Sequence, residues 1–353
     1  LFEHKFDDAW TVRQNFRVAH NENDNRSAYG DFFTITGGWG ADPVNKRLLG
    51  RITDSSLTRN RIATIDNHLE GHFTTGDVKH TLLVGADFSH QRENVSSGFD
   101  YSVIDAYAPV YGNLVDPERF ALPRTTQRNS GLYVQDQIKW NHWIFLAGLR
   151  HDRAVSGVEG SEDEKTSANT KRLAVMYAMP SGWSPYVSYT ESFTPQSARM
   201  GQSFKPLRGE QWEAGIKYEP KARAMAFSAA VYDLREKNQI VELAPNTFNQ
   251  LGETRNKGVE LEAKGSISRD LDVVAHYNYI DLDAQIEGMP KHQASLWTKY
   301  RFAIAGLPGF SVGAGVRYMG NFRDTSYGGY GPRIPSVALL DFVLAYDTAQ
   351  WRY

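Results

Sequence analysis

The side chains best suited to chemistry are thinly spread through the 353 residues. His68 and His72 stand four apart, a spacing that on a helix would put two imidazoles beside one metal ion. Here they lie on a strand-like segment, where four residues at ~3.3 Å each span roughly 13 Å. One ion cannot bridge that gap, and no protein metal site is expected. Arg150-His151-Asp152 and His276 hold the acid and base of a hydrolase, yet no G-x-S-x-G elbow is expected and no Ser/His/acid grouping can be assembled from the spacing. The chain therefore reads as no enzyme. The acidic run Gly160-Ser161-Glu162-Asp163-Glu164-Lys165 reads as a solvated loop tip rather than a calcium site. Cysteine is absent, so there is neither a disulfide framework nor a thiolate ligand.

The elements that would position these groups are strands. In GVELEAKGSISRDLDVVAHYNYID (258–281), Val259, Leu261 and Ala263 alternate with Glu260, Glu262 and Lys264. After a small polar turn, Leu271, Val273, Ala275, Tyr277 and Tyr279 share one parity. Successive strand side chains point to opposite faces, so each strand has an apolar and a polar face. The same pattern recurs at Leu82–Phe88, Trp143–Leu149, Trp212–Tyr218, Met225–Val231, Phe310–Tyr318 and Leu340–Tyr346. Each run is expected to span about the 9–11 residues of a tilted membrane strand. No segment shows a helical period. Aromatic residues make up 12% of the chain, which suits the Tyr and Trp girdles of a membrane barrel. Thirty-nine basic residues balance 41 acidic ones, so no basic excess marks a nucleic-acid binder.

The connections alternate between short and long. Short turns are expected at Asp7-Asp8, 74–77, 140–143, 179–184, 219–222, 265–270 and 305–308, and long ones at 20–60, 91–129, 152–170, 191–209, 235–251, 282–291 and 320–335. A short-turn side and a long-loop side distinguish an outer-membrane barrel from a soluble sandwich or adhesion module. Charges at Arg13, Arg17, Lys299 and Arg301 then face a wet lumen, and the apolar parity faces lipid. The pattern yields about fifteen strands and the start of a sixteenth at Trp351–Tyr353. Both ends cut through the repeat, so residues 1–353 are expected to be part of a longer chain. A passive porin or another plugless barrel would share this pattern.

Several segments resemble TonB-dependent siderophore receptors of the ferrichrome and hydroxamate type: FEHKFDDAWTVRQNFRVA (2–19), TTGDVKHTLLVGADF (74–88), SGLYVQDQIKW (130–140), YVSYTESFTPQS (186–197), GEQWEAGIKYEP (209–220), NKGVELEAKGS (256–266), MPKHQASLWTKYRF (289–302) and GVRYMG (315–320). They run in order over the whole chain. The resemblance implies an all-β, transmembrane antiparallel barrel of about 22 strands, of which residues 1–353 would be the partial barrel, without the N-terminal plug domain. It also implies a place in the outer membrane of a Gram-negative bacterium, among its lipids. The implied activity is uptake of a ferric siderophore energised through TonB. Iron would be carried by the siderophore, with no cofactor of the protein's own. Haem or cobalamin would be the alternative cargo within the family.

The resemblance also implies ligand contacts. NRSAYGDFF (25–33) matches a family stretch with two ligand-facing aromatics one residue apart, of which Tyr29 keeps the first and Asp31 replaces the second. Phe99 and Tyr101 fall in the next long loop, and Tyr327 and Tyr330 in the last. Tyrosine and phenylalanine offer flat apolar bodies, and the tyrosine hydroxyl adds a hydrogen bond.

Overall fold

The computed structural model describes all residues except 32–36, 197, 199–201, 221–223, 245–246, 284–287, 324–331 and 348–353. Its strands are β1 (Phe2–Lys5), β2 (Trp10–Gly30), β3 (Leu48–Thr75), β4 (Val78–Asp105), β5 (Phe120–Ala121), β6 (Thr125–Trp140), β7 (Trp143–Val158), β8 (Glu164–Tyr177), β9 (Trp183–Thr194) and β10 (Leu207–Tyr218). They continue as β11 (Met225–Lys237), β12 (Ile240–Ala244), β13 (Thr247–Gln250), β14 (Glu253–Ser266), β15 (Leu271–Asp281), β16 (His292–Ile304), β17 (Leu307–Met319), β18 (Phe322–Arg323), β19 (Arg333–Ile334) and β20 (Val337–Tyr346). A single 3₁₀ turn at Trp39–Ala41 is the only helical element among the described residues.

One 16-stranded sheet runs in chain order from β1 to β20. The short β5 pairs only with β4, and the hairpins β12–β13 and β18–β19 stand apart. Every pairing is antiparallel, as a meander of hairpins requires. Among the described residues β1 and β20 are not paired with each other.

The registers assemble the predicted parities into continuous surfaces. Across seven strands one row reads Phe227, Ala263, Ala275, Leu296, Val316 and Leu340, beginning from Tyr218. Farther round, Val12, Leu69, Val84, Val134 and Leu149 face one another in the same way. This apolar band is the outer surface. At the short-turn end it is bordered by paired aromatics: Trp183 stacked on Tyr218 at 4.3 Å, Phe310 stacked on Tyr346 at 4.4 Å, and Trp143 tilted against Tyr177 at 4.8 Å. Such a girdle marks a membrane–water interface, where amphipathic rings are favoured.

The opposite face is polar and internally paired. The Arg150 guanidinium reaches Asp87 at 2.6 Å and Asp152 at 2.7 Å, and it lies 5.5 Å over the Tyr133 ring. The Tyr133 hydroxyl donates to Asp66 at 2.7 Å. Arg13 pairs with Glu3 and Glu70, and Arg301 with Asp272. Charges in such number need water or a polar filling, so this face lines the lumen. Glycines on it receive neighbouring rings: Tyr186 lies on Gly215 and Tyr232 on Gly258.

Two expectations need correction. The sheet strands other than β1 and β5 are mostly longer than 9–11 residues, and β3 and β4 reach 28 each. Some of the long segments expected to be loops are therefore largely strand: 20–60 contains the upper parts of β2 and β3, and 152–170 leaves only 159–163 between β7 and β8, whereas 195–206 and 282–291 hold no strand among the described residues. A strand above the membrane is concealed because both of its faces carry polar residues, so no apolar parity marks it. A G-x-S-x-G string does exist at Gly309–Gly313, where none was expected. It lies within β17, not on a strand-to-helix turn, and Ser311 is buried at 3% exposure, so it is no nucleophile elbow.

Candidate functional site

The lumen-facing parity of β2, β3 and β4 continues past the apolar band to the extracellular rim. Tyr29 faces Ile52, which in turn faces Tyr101. The three side chains form one rung. The adjacent rung is Ser27, Asp54 and Phe99. Neighbouring strands stand ~4.8 Å apart, so each rung is about 10 Å wide. The registers thus bring Tyr29, Phe99 and Tyr101 together, though they lie some seventy residues apart in sequence.

Phe99 and Tyr101 are open, at 67% and 62% exposure, and meet edge to face with ring centres 5.8 Å apart. Such a pair keeps its ring faces available to a ligand. Tyr29 is more enclosed. Its burial, with the nearby Asp54 carboxylate and Tyr101, pushes its hydroxyl above the usual tyrosine range. It therefore stays a neutral hydrogen-bond donor at any physiological pH.

Asp31 is placed differently. It follows the end of β2 and is buried at 8% exposure, with its backbone N–H donating to the Gly50 carbonyl at 2.8 Å. Its own carbonyl lies where a side chain on Gly38 would have to stand, and Gly38 has φ +85. Asp31 is part of the hairpin tip and does not share the open rung. Tyr327 and Tyr330 lie outside the described residues. His68 pairs with Asp66 at 2.8 Å and His72 with Glu70 at 2.7 Å, each engaged on its own strand.

The wall is braced from behind. Residues 106–124 fold against the outer side of the same strands. Arg119 binds Asp24 and donates to the Ser55 hydroxyl at 2.7 Å, and Arg26 reaches Asp116 at 3.1 Å. The Glu118 carbonyl occupies the space that a side chain on Gly98 would need. Hydrogen bonding to Arg119 holds the Asp24 carboxyl below its ordinary range, and Arg47 does the same for Asp105 at the tip.

The sequence reading missed Asp54 and Ile52. Nothing local marks them. Only the three-strand register shows that they stand between the aromatics.

Compared with known proteins, residues 1–352 match the family described as TonB dependent receptor-like, beta-barrel. The chain belongs to this family. Its place is accordingly the outer membrane. The ferrioxamine B receptor of Salmonella typhimurium is 34% identical, over 98% of this chain and 50% of its own length. The ferrichrome outer membrane transporter/phage receptor of Escherichia coli K12 is also 34% identical, over 99% of this chain and 51% of its own length. The chain thus spans about half the length of these relatives. Among solved structures, the siderophore receptor PiuA from Acinetobacter baumannii superposes with a TM-score of 0.83. It shares 22% identity, over 99% of this chain and 57% of that one.

Proposed function

We propose that the protein to which residues 1–353 belong is an outer-membrane receptor and transporter for a ferric siderophore of the hydroxamate type. The observation that carries this reading is the aromatic wall of Tyr29, Phe99 and Tyr101 at the extracellular end of the lumen. A ferric hydroxamate presents a compact body of alkyl chain and amide edges. Flat rings and a neutral hydroxyl match that surface. Names of relatives at 34% identity support the same ligand class. Iron arrives already held by its chelator, so the wall recognises the organic shell, and no resident cofactor is invoked. Energy would come through TonB, contacted by parts of the protein outside these residues, such as a plug domain.

The test is titration of the full-length receptor with a ferric trihydroxamate, read by quenching of intrinsic fluorescence. Phe99→Ala and Tyr101→Ala are each expected to weaken binding, since truncating an aromatic anchor typically costs more than ~1 kcal/mol. Unchanged affinity in both variants, each shown to be folded, would remove this wall from the site. Free passage of small solutes with no saturable binding would favour a porin instead.

A further inference from the structure

The extracellular parts of β2, β3, β4 and β6 sort their charges by face. Arg26, Arg51, Arg59, Arg61, Arg92 and Arg128 all fall on the outer parity. From Ala19 to Tyr29, Ile52 to Ile62, Gln91 to Val103 and Thr125 to Asn129, the lumen parity holds no lysine or arginine. It holds two carboxylates, Asp54 and Glu93, among amides, hydroxyls and the aromatic rungs.

The outward arginines do not reach round to neutralise them. Arg26 binds Asp116, Arg59 binds Glu22 at 2.8 Å, Arg128 binds Asp163 at 2.8 Å, and Arg51 donates to Asn113 at 3.2 Å. At the tip, Arg47 is taken by Asp105 at 2.6 Å. Among the described residues Asp54 has neither an ion pair nor a hydrogen bond. It stands directly across from Phe99, with Tyr29 and Tyr101 on the next rung, about 7–8 Å away on the diagonal.

We propose that this wall selects by charge, with Asp54 as the specificity-determining carboxylate that favours ferric hydroxamates bearing a cationic group. Three hydroxamates neutralise one ferric ion, so the net charge of such a complex is set by the rest of the ligand. A terminal ammonium would meet the Asp54 carboxylate and the faces of Phe99 and Tyr101 together, an ion pair reinforced by cation–π attraction. A neutral complex gains neither. An anionic complex, such as one built from catechols or carboxylates, meets an unopposed negative wall. This deepens the siderophore reading and rests on it.

The experiment uses the full-length receptor and three ferric probes with one trihydroxamate core. The first is a linear chain ending in a free ammonium, the second its N-acetylated neutral form, and the third its N-succinylated anionic form. Affinity is expected to fall about threefold to tenfold at each step at low ionic strength, and the steps should shrink at high salt. Asp54→Asn should bring the three affinities together, Asp54→Glu should keep their order, and the outward Arg59→Gln should leave it unchanged. Equal affinities for all three probes in the natural protein would overturn charge selection while leaving the siderophore reading intact. So would an order that survives Asp54→Asn. Binding of none of the three would sink the siderophore reading itself, and this inference with it.

Discussion

Phe342 offers the sharpest test of which face meets lipid. It lies across from Ala314, in a row that continues through Thr298 and Val273 to Gly265. Its side chain is 75% exposed in the sheet, so lipid must supply most of its contacts. Tyr346 of the girdle is four residues away on the same strand. That is roughly 13 Å along the strand and about 10 Å in depth at a tilt of ~40°, near the middle of a ~25 Å band. Arginine at such a site costs about 2–4 kcal/mol. Losing most of the apolar transfer of phenylalanine adds about 2 kcal/mol. Phe342→Arg should therefore destabilise the full-length receptor by about 4–6 kcal/mol, a large share of a typical margin of ~5–15 kcal/mol. Val343→Arg puts the same side chain on the lumen face beside Asp341 and should cost less than ~1 kcal/mol. Phe342→Leu should be nearly neutral. The assay is the SDS-resistant folded band after assembly in vesicles, with urea titration for the magnitude. If both arginine variants assemble alike, the assignment of faces is wrong.

Other consequences are equally direct. Gly258→Val should cost about 1–3 kcal/mol in urea titration because the Tyr232 ring occupies the new side chain's place, and adding Tyr232→Ala should recover much of it. Gly98→Ala should free residues 106–124 from the outer side of β4, seen as faster proteolysis within that segment, while the folded barrel band stays unchanged. The Asp24–Arg119 clasp depends on a carboxyl held below its ordinary range, so its contribution is complete above the unfolded carboxyl value near ~3.8 and is lost as pH falls through the lower folded value. Proteolysis of 106–124 should therefore be constant from neutral pH to about pH 5 and rise only in stronger acid. A rise beginning near pH 6 would assign the clasp to another group.

Much of the architecture was legible because strand periodicity is a local property. Val259, Leu261 and Ala263 alternate with charged residues whatever they pack against, and the structure keeps that alternation in β14. The turns were legible for the same reason. Gly76 and Gly306 take positive φ where the chain reverses within two residues, and Asn141 does so between Trp140 and Trp143. The upper strands were not legible. Where both faces are polar, as in Asn21 to Ser27 paired with Asp54 to Asn60, no apolar parity remains to announce a strand. Hydrogen bonding to neighbouring strands, not side-chain pattern, sustains them there.

The sequence by itself determined the kind of surface each strand would present, and hence a membrane barrel with lipid on one parity and water on the other. It also supplied Tyr29, Phe99 and Tyr101 as aromatic candidates through family likeness. It could not show that Asp54 stands among them, that Asp31 turns into the hairpin tip, or that the arginines of the upper wall all face away from the lumen. Those facts depend on register between strands joined by connections of very different length. A slip of one residue in any pairing would exchange the two faces of a strand. The pairing is decided by backbone hydrogen bonds and rows of side chains that exist only once β2, β3 and β4 lie side by side, which is why the ligand wall belongs to the tertiary structure.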